Sequence, residues 1–305
     1  MIDPQQVVEM LGNPIKPTVT ATSAPGPVPT VIPTPIEYQV ASNGGHRTLW
    51  VIFAIMLASS GVFAASSWRV PVRHRVYYVT TTLMAIISTL SYFAMASGHA
   101  STFNCITVTD SHKHVPDVHH DVCRQVYWAR YVDWSLTFPL LLLNLSLLAG
   151  IDGAHTLMAI SASLIMTLSG LFSALGKTGT AQKWGWLAIS CVSYLFVLWH
   201  IVLHGSTMVK VKGGAVTKLF SSLALFSFIV WTVYPIVWGI ADGGRKINVD
   251  KEIMTYAVLD ALLKPVFGLW LLISHRAIAE ANIDLDGYWS QGLSAEGRIR
   301  VGDDE

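Results

Sequence analysis

Residues 252–274 read EIMTYAVLDALLKPVFGLWLLIS, a long apolar segment with a lysine near its centre. A helix needs about 20 predominantly apolar residues to cross a bilayer. Segments of similar length and character precede it at 47–68, 76–98, 126–149, 154–176, 184–204 and 216–240. The sequence therefore predicts an all-α membrane protein, a bundle of seven transmembrane helices whose termini lie on opposite sides.

The composition argues against the common soluble classes of protein. Charged residues make up 13% of the 305 residues, against roughly 25% in soluble domains, and the mean hydropathy is +0.49. A net charge of +1 provides no basic excess for binding nucleic acid, and the 3 cysteines are too few for a zinc module. We expect membrane lipid around the chain, no nucleic-acid partner, no metal motif and no enzymatic activity.

Outside the spans the sequence predicts two tails and mostly short connections. Residues 1–45, rich in Pro and Thr, are expected to be disordered, residues 46–276 to form the helical domain, and residues 277–305 a polar tail. Segment 205–215 is predicted as a loop, and alternating residues in segment 99–125 predict a short β-hairpin. Cys105 and Cys123 bracket that hairpin. They form a disulfide if the loop faces an oxidising compartment, or are two unrelated thiols.

Ionisable residues inside the spans are the main candidates for function, because a charge at bilayer depth costs about 2.5–3.5 kcal/mol. Arg130 and Asp133 lie in the third span, and Asp260 and Lys264 in the seventh. Lys264 is near the midplane, and Asp260 is one helical turn before it on the same face. The competing interpretations are a buried ion pair that only fixes helix register and, for Arg130, an anchor at the membrane interface.

One face of the third span carries a line of residues that is mainly polar. Aromatic residues form a second set, in the third span and in other spans. The line consists of Asp133, Thr137, Leu141 and Asn144, at helical spacing that suits a proton or ion path. The aromatic set comprises Trp134, Trp186, Trp231, Tyr234 and Trp238, with Pro235 among them. It is either core packing or the wall of a pocket beside Lys264. A midplane lysine can also form a Schiff base with an apolar aldehyde, which would need a carboxylate nearby.

Three motifs resemble those of the microbial rhodopsins, the bacteriorhodopsin-like retinal proteins. They are ARYVDWSLTFPLLLLNL at 129–145, WTVYPIVWG at 231–239 and VLDALLKPVFG at 258–268. The Pro-rich N-terminus, FNCITV at 103–108, VCRQVYWARY at 122–131, AQKWGW at 181–186 and NIDLDGYWSQGL at 282–293 are similar to fungal opsins of the Neurospora type. The resemblance covers residues 46–276 and implies a seven-helix retinal-binding domain.

The resemblance implies specific roles for the charged residues. Lys264 would carry all-trans retinal as a protonated Schiff base, with Asp133 as primary counterion and proton acceptor and Asp260 as second counterion. Arg130 would relay charge to the extracellular side, where Asp242 and Glu252 match proton-release carboxylates. The other residues implied in the retinal pocket are Tyr92, Trp134, Thr137, Leu141, Met166, Gly170, Trp231, Tyr234, Pro235 and Trp238, with Trp186 or Ser190 from the fifth span.

The family also implies a topology that the loop charges do not decide. Near the spans the two sides carry similar numbers of Lys and Arg, so the positive-inside rule gives no orientation. The resemblance implies an extracellular N-terminus, a cytoplasmic C-terminus and a plasma-membrane location. It identifies no signalling partner, and a homo-oligomer is compatible with the sequence.

Two departures from the family pattern bear on function. Outward proton pumps place a carboxylic acid at the position of Asn144 to return a proton to the Schiff base, and an amide cannot do so. A Thr–Asp pair that often links the third and fourth spans is replaced by Phe138 and Ser163. The sequence therefore predicts a light sensor with a slow photocycle, and its alternative is a low-turnover outward proton pump.

Overall fold

Each apolar segment forms a helix in the computed structural model, which describes residues 36–112 and 115–278. The helices are α1 Asn43–Ser67, α2 Val76–Ala96, α3 Trp128–Ala149, α4 Gly153–Leu175, α5 Ala181–Lys212, α6 Gly214–Gly243 and α7 Val249–Ala277. All seven are long and apolar enough to cross a membrane. The predicted fold class is confirmed.

The third helix lies at the centre of the bundle. In the most apolar 18-residue stretch of α3, 67% is buried inside the protein, against 28% in α1 and 22% in α5. Consecutive helices pack side by side from α1 to α4, α7 packs against α1 and α6, and α3 contacts α6 across the interior. Polar side chains of α3 therefore face the interior of the bundle rather than lipid.

A three-stranded sheet covers the end of the bundle where α2 ends and α3 begins, here called the sheet side. Its strands are β1 Ile36–Gln39, β2 Thr102–His112 and β3 Val115–Val126, in the order β1-β3-β2. β2 and β3 are antiparallel, which confirms the predicted hairpin, and β1 is parallel to β3. Cys105 lies opposite Cys123 in the register, and a disulfide joins them.

The boundary predicted for the N-terminal tail, at residue 45, is too late. Strand β1 and the first turn of α1 fall within the segment that was expected to be disordered. The main chain of β1 pairs with β3, and Ala41 N donates to Gln125 Oε1 at 3.0 Å. A short strand whose partner lies far away in the chain is hard to predict from its own sequence, and this explains the wrong boundary. Residues 1–35 and most of the polar tail, 279–305, lie outside the described residues.

The loop predicted at 205–215 is also wrong, because α5 continues to Lys212 and only Gly213 separates it from α6. Gly213 has φ 104°, a conformation that favours glycine. Lys212 Nζ donates to the carbonyls of Leu147 and Leu148, at 3.2 and 3.4 Å, near the end of α3. Lys212 thus adds a donor to the last turn of α3, where the Leu147 carbonyl also accepts from the main-chain N–H of Gly150.

Three of the helices contain a π-helical segment. These segments are Trp199–His204 in α5, Gly239–Gly243 in α6 and Leu262–Val266 in α7. The segment in α7 contains Lys264 and, directly after it, Pro265, which cannot donate a main-chain hydrogen bond. Such interruptions are frequent at functional sites, since they turn a side chain away from the regular helical position.

Candidate functional site

Lys264 is a buried cation held between two buried carboxylates. Its side chain extends from the π-helical segment of α7 and is 1% exposed. Nζ contacts Asp133 Oδ2 on α3 and lies 3.2 Å from Asp260 Oδ1 on its own helix. Ser88 Oγ donates to the other oxygen of Asp133 at 2.8 Å. The structure brings together the ion pairs predicted from sequence, and the lysine is too enclosed to reach the membrane surface.

Asp260 has three neutral hydrogen-bond donors from three different helices. Tyr92 Oη donates at 2.6 Å, Tyr234 Oη at 2.8 Å and Trp134 Nε1 at 3.0 Å. Hydrogen bonds to an ionised carboxylate stabilise its charge and fix its orientation. Asp260 thus has three such donors besides the lysine, whereas Asp133 has one.

Between Lys264 and the sheet lies a network of charged groups. Glu252 accepts from Arg130 Nη1 and from Arg124 Nη2, each at 2.7 Å. Arg124 Nε lies 3.7 Å from Asp242 Oδ1, and all four side chains are buried. The Arg130 guanidinium also lies over the ring of Tyr256, 4.3 Å from its centroid. The predicted residues Arg130 and Glu252 thus form an ion pair, and Arg124 links Glu252 to the third predicted residue, Asp242.

Arg124 was missed by the sequence analysis because it lies in β3, outside every span. Its burial, with 1% of the residue exposed, depends on the sheet folding back over the bundle. The nearby Tyr127 is buried as well, and burial raises its pKa to about 12. The phenol next to this network is therefore neutral at physiological pH.

The other side of Lys264, toward the C-terminal end of α7, is lined differently. Asn144 is fully buried, accepts from Thr80 Oγ1 at 2.5 Å and approaches Met84 Sδ at 3.9 Å. Ser163 donates to the Ile160 carbonyl of its own helix, and Phe138 packs against Trp134. The Thr–Asp link that is frequent in the family is thus replaced by contacts of Phe138 and Ser163 that do not join the two helices by a hydrogen bond.

An apolar cavity shares two of its lining residues with the site around Lys264. Trp134 and Tyr234 line the cavity and also donate to Asp260, the carboxylate that pairs with Lys264. The predicted pocket residues that line it are Trp134, Met166, Gly170, Ser190, Trp231, Tyr234, Pro235 and Trp238. The indole nitrogens of Trp231 and Trp238 are buried without a hydrogen-bond partner among the described residues. The walls suit an elongated apolar molecule attached at the lysine.

Four predicted pocket residues do not line the cavity, and one of them, Tyr92, donates to Asp260 instead. Trp186 packs against the ring of Phe172, with centroids 5.1 Å apart, so the register of α5 presents Ser190 instead. Leu141 is buried in the core, and Thr137 donates to the Asp133 carbonyl at 2.8 Å. Further lining residues were missed by the sequence analysis: Tyr131, Phe138, Thr167, Leu187, Cys191, Tyr194 and Tyr256.

Comparison with known proteins gives consistent matches along the helical domain. A family model described as bacteriorhodopsin-like protein matches residues 45–278. Opsin-1 of Neurospora crassa is 63% identical and covers 100% of both chains. The opsin-like protein carO of Fusarium fujikuroi is 33% identical over 79% of this chain and 76% of its own length. The structure of a light-driven proton pump from Leptosphaeria maculans has 52% identity and a TM-score of 0.78, covering 81% of this chain and 100% of its own.

Proposed function

This chain belongs to the bacteriorhodopsin-like family, and from that premise we propose that it is a light sensor with a slow photocycle. Proteins of this family bind retinal through a Schiff base to a lysine. We assign that lysine as Lys264, because it is buried beside an apolar cavity and two carboxylates. Retinal, when bound there, absorbs light and changes the direction in which the proton on the lysine nitrogen points.

The cavity residues would hold the polyene and keep water away from it. Trp134, Tyr234 and Trp238 form aromatic walls, and Ser190 is fixed by donating to the Met166 carbonyl at 2.7 Å. Removing water strengthens every electrostatic interaction at the lysine, since the effective dielectric constant falls. The protein's own dipoles and charges then control where the proton of Lys264 moves.

Asp133 is the proposed proton acceptor. Its Oδ2 is in direct contact with Lys264 Nζ, so transfer needs no intervening group. Asp260 is the poorer acceptor, because its three neutral donors stabilise the anion. Arg130, which is paired with Glu252, lies on the sheet side and is placed to respond when Asp133 loses its charge.

The observation that carries the proposal is Asn144, buried on the C-terminal side of Lys264 without an acidic group. Among the described residues, the buried carboxylates are Asp133, Asp242, Glu252 and Asp260. The buried imidazole on that side, His275, is three helical turns from Lys264, or about 16 Å along the axis. Return of a proton from that side is therefore slow, which lets a signalling state accumulate.

Outward proton pumping is the second candidate function. The charged residues expected on the sheet side are all present and paired in one buried network. The similar Leptosphaeria protein is described as a light-driven proton pump. In every cycle, a proton released through this network would have to be replaced by another that passes Asn144 on its way to Lys264. We therefore expect any pumping to be limited by that step.

One experiment separates the two functions. Cells producing the protein with retinal are illuminated while the external pH is recorded, and flash-induced absorbance is followed on the same protein. We expect slow recovery and little acidification, with Asp133→Asn as the control that lacks the acceptor. Fast recovery together with acidification that a protonophore abolishes would reject the sensor in favour of the pump.

A further inference from the structure

A cluster of histidines and one aspartate lies at the C-terminal end of the bundle, and none of its residues lines the cavity described above. Asp152 precedes α4, His155 is in its first turn, and His200 and His204 lie on the π-helical segment of α5. We propose that Asp152, His155 and His204 form a binding site for a divalent transition-metal ion, with Zn²⁺ the best match. The sequence analysis had expected no metal.

The spacing of the donor atoms is close to that of a tetrahedral site. His204 Nε2 lies 3.3 Å and His155 Nε2 4.0 Å from Asp152 Oδ2, and one donor atom from each residue lies within 4.8 Å of the others. Ligands about 2.1 Å from zinc are about 3.4 Å apart at the tetrahedral angle. The rings of His155 and His204 are stacked with centroids 3.8 Å apart, so binding needs a rotation of these partly exposed rings.

The groups around the ligands are arranged to orient them. Asp152 Oδ1 accepts from the main-chain N–H of His155 at 3.0 Å, which leaves Oδ2 for the ion. That hydrogen bond lowers the pKa of Asp152, so the ligand is an anion at neutral pH. His155 Nδ1 lies 2.8 Å from His200 Nδ1. With His155 Nε2 on the metal, its Nδ1–H donates to His200, as metal-bound histidines usually donate to a neighbour.

The chemistry of the donor set selects the class of ion. Two imidazoles and one carboxylate favour Zn²⁺, Cu²⁺ or Ni²⁺ over the hard cations Ca²⁺ and Mg²⁺. The side chains of Asp152, His155 and His204 are 48%, 36% and 26% exposed, so an ion can enter from solvent. Three protein ligands leave one position for water.

Metal binding would join two elements that are distant in sequence. Asp152 and His204 are separated by 52 residues, and the ion would connect the start of α4 to the π-helical segment of α5. An ion that binds only the folded protein raises its stability. Zinc should therefore raise the melting temperature as well as bind.

The test uses the full-length retinal-bound protein in lipid nanodiscs, titrated with ZnCl₂ by calorimetry. We expect one equivalent to bind, and His204→Gln to weaken affinity about 10- to 100-fold. Asp152→Asn is the second variant, because asparagine still caps the helix but is a neutral and weaker ligand. The matched control is His119→Ala/His120→Ala, which removes two histidines from the hairpin at the opposite end.

Two results would overturn the proposal. One is unchanged zinc affinity in both ligand variants, and the other is loss of binding in the hairpin control instead. The same protein loaded with Cu²⁺ gives an independent measurement by electron paramagnetic resonance. We expect hyperfine splitting from two imidazole nitrogens, and a spectrum without nitrogen coupling would also reject the site. The retinal absorption band of each variant checks that it has folded.

Discussion

The two halves of the bundle on either side of Lys264 differ in charge although the same helices build both. On the sheet side, Arg130 on α3 and Glu252 on α7 belong to a buried ionic network. On the C-terminal side, α3 offers Asn144, whose partners are a threonine hydroxyl and a thioether. The backbone therefore does not set the direction of proton movement. In the proposed function a few side chains set it, and Asn144 is the residue that slows transfer from the C-terminal side.

Lys264 divides the two halves, and replacing it has the largest expected effect. Lys264→Ala removes the attachment point and leaves Asp133 and Asp260 without their shared cation. The visible absorption band of the retinal-reconstituted protein should be lost completely, as measured by spectrophotometry. Lys251→Gln, at an exposed position of the same helix, should keep the band. A band that survives in Lys264→Ala would show that retinal is attached elsewhere.

Removing one ion from the charged half should strongly destabilise the protein. Glu252→Gln leaves Arg124 and Arg130 buried with a neutral partner, and breaking a buried pair typically costs about 3–5 kcal/mol. The melting temperature in the dark should fall clearly below that of Lys251→Gln, which changes an exposed charge nearby. Equal melting temperatures would mean that water already solvates the network.

Adding an acid to the neutral half should change kinetics rather than stability. Asn144→Asp supplies a group that can give up a proton, so recovery after a flash should be faster by roughly 10²-fold. Asn144→Leu is the control of similar size that cannot titrate. Recovery that is equally slow in Asn144→Asp would contradict the role assigned to the missing acid.

The smallest effect is expected from a neutral hydrogen bond. Thr80→Val removes the donor to Asn144, and such a bond contributes about 1 kcal/mol. The melting temperature should fall by a few degrees, less than in Glu252→Gln. A loss as large as that of Glu252→Gln would show that the neutral half is as tightly coupled as the charged one.

The sequence predicted the seven spans and the pairing of Asp260 with Lys264 for clear physical reasons, whereas the pairing of Asp133 with Lys264 was implied by the family resemblance. Apolar length is a local property, and a charge such as Lys264 inside a span stands out because of its cost. The pairing of Asp260 with Lys264 follows from helical spacing within one segment. These features need no knowledge of distant contacts.

The features that sequence analysis missed depend on contacts between distant segments. Arg124 is buried only because β3 folds over the bundle, and β1 exists only as a partner of β3. The choice of Ser190 over Trp186 depends on the rotation of α5, which its apolar sequence leaves undetermined. Residues 205–212 are helical, and Lys212 at their end contacts α3, which is a contact between segments distant in the chain.

The single glycine between α5 and α6 has a mechanical consequence. Consecutive Cα atoms are about 3.8 Å apart, so a one-residue joint leaves almost no slack between the two helix ends. Lys212, the residue before that joint, is also bonded to the end of α3. A displacement of the first turn of α6 would therefore strain the helix that carries Asp133 and Asn144, coupling this end of the bundle to the carboxylate that pairs with Lys264.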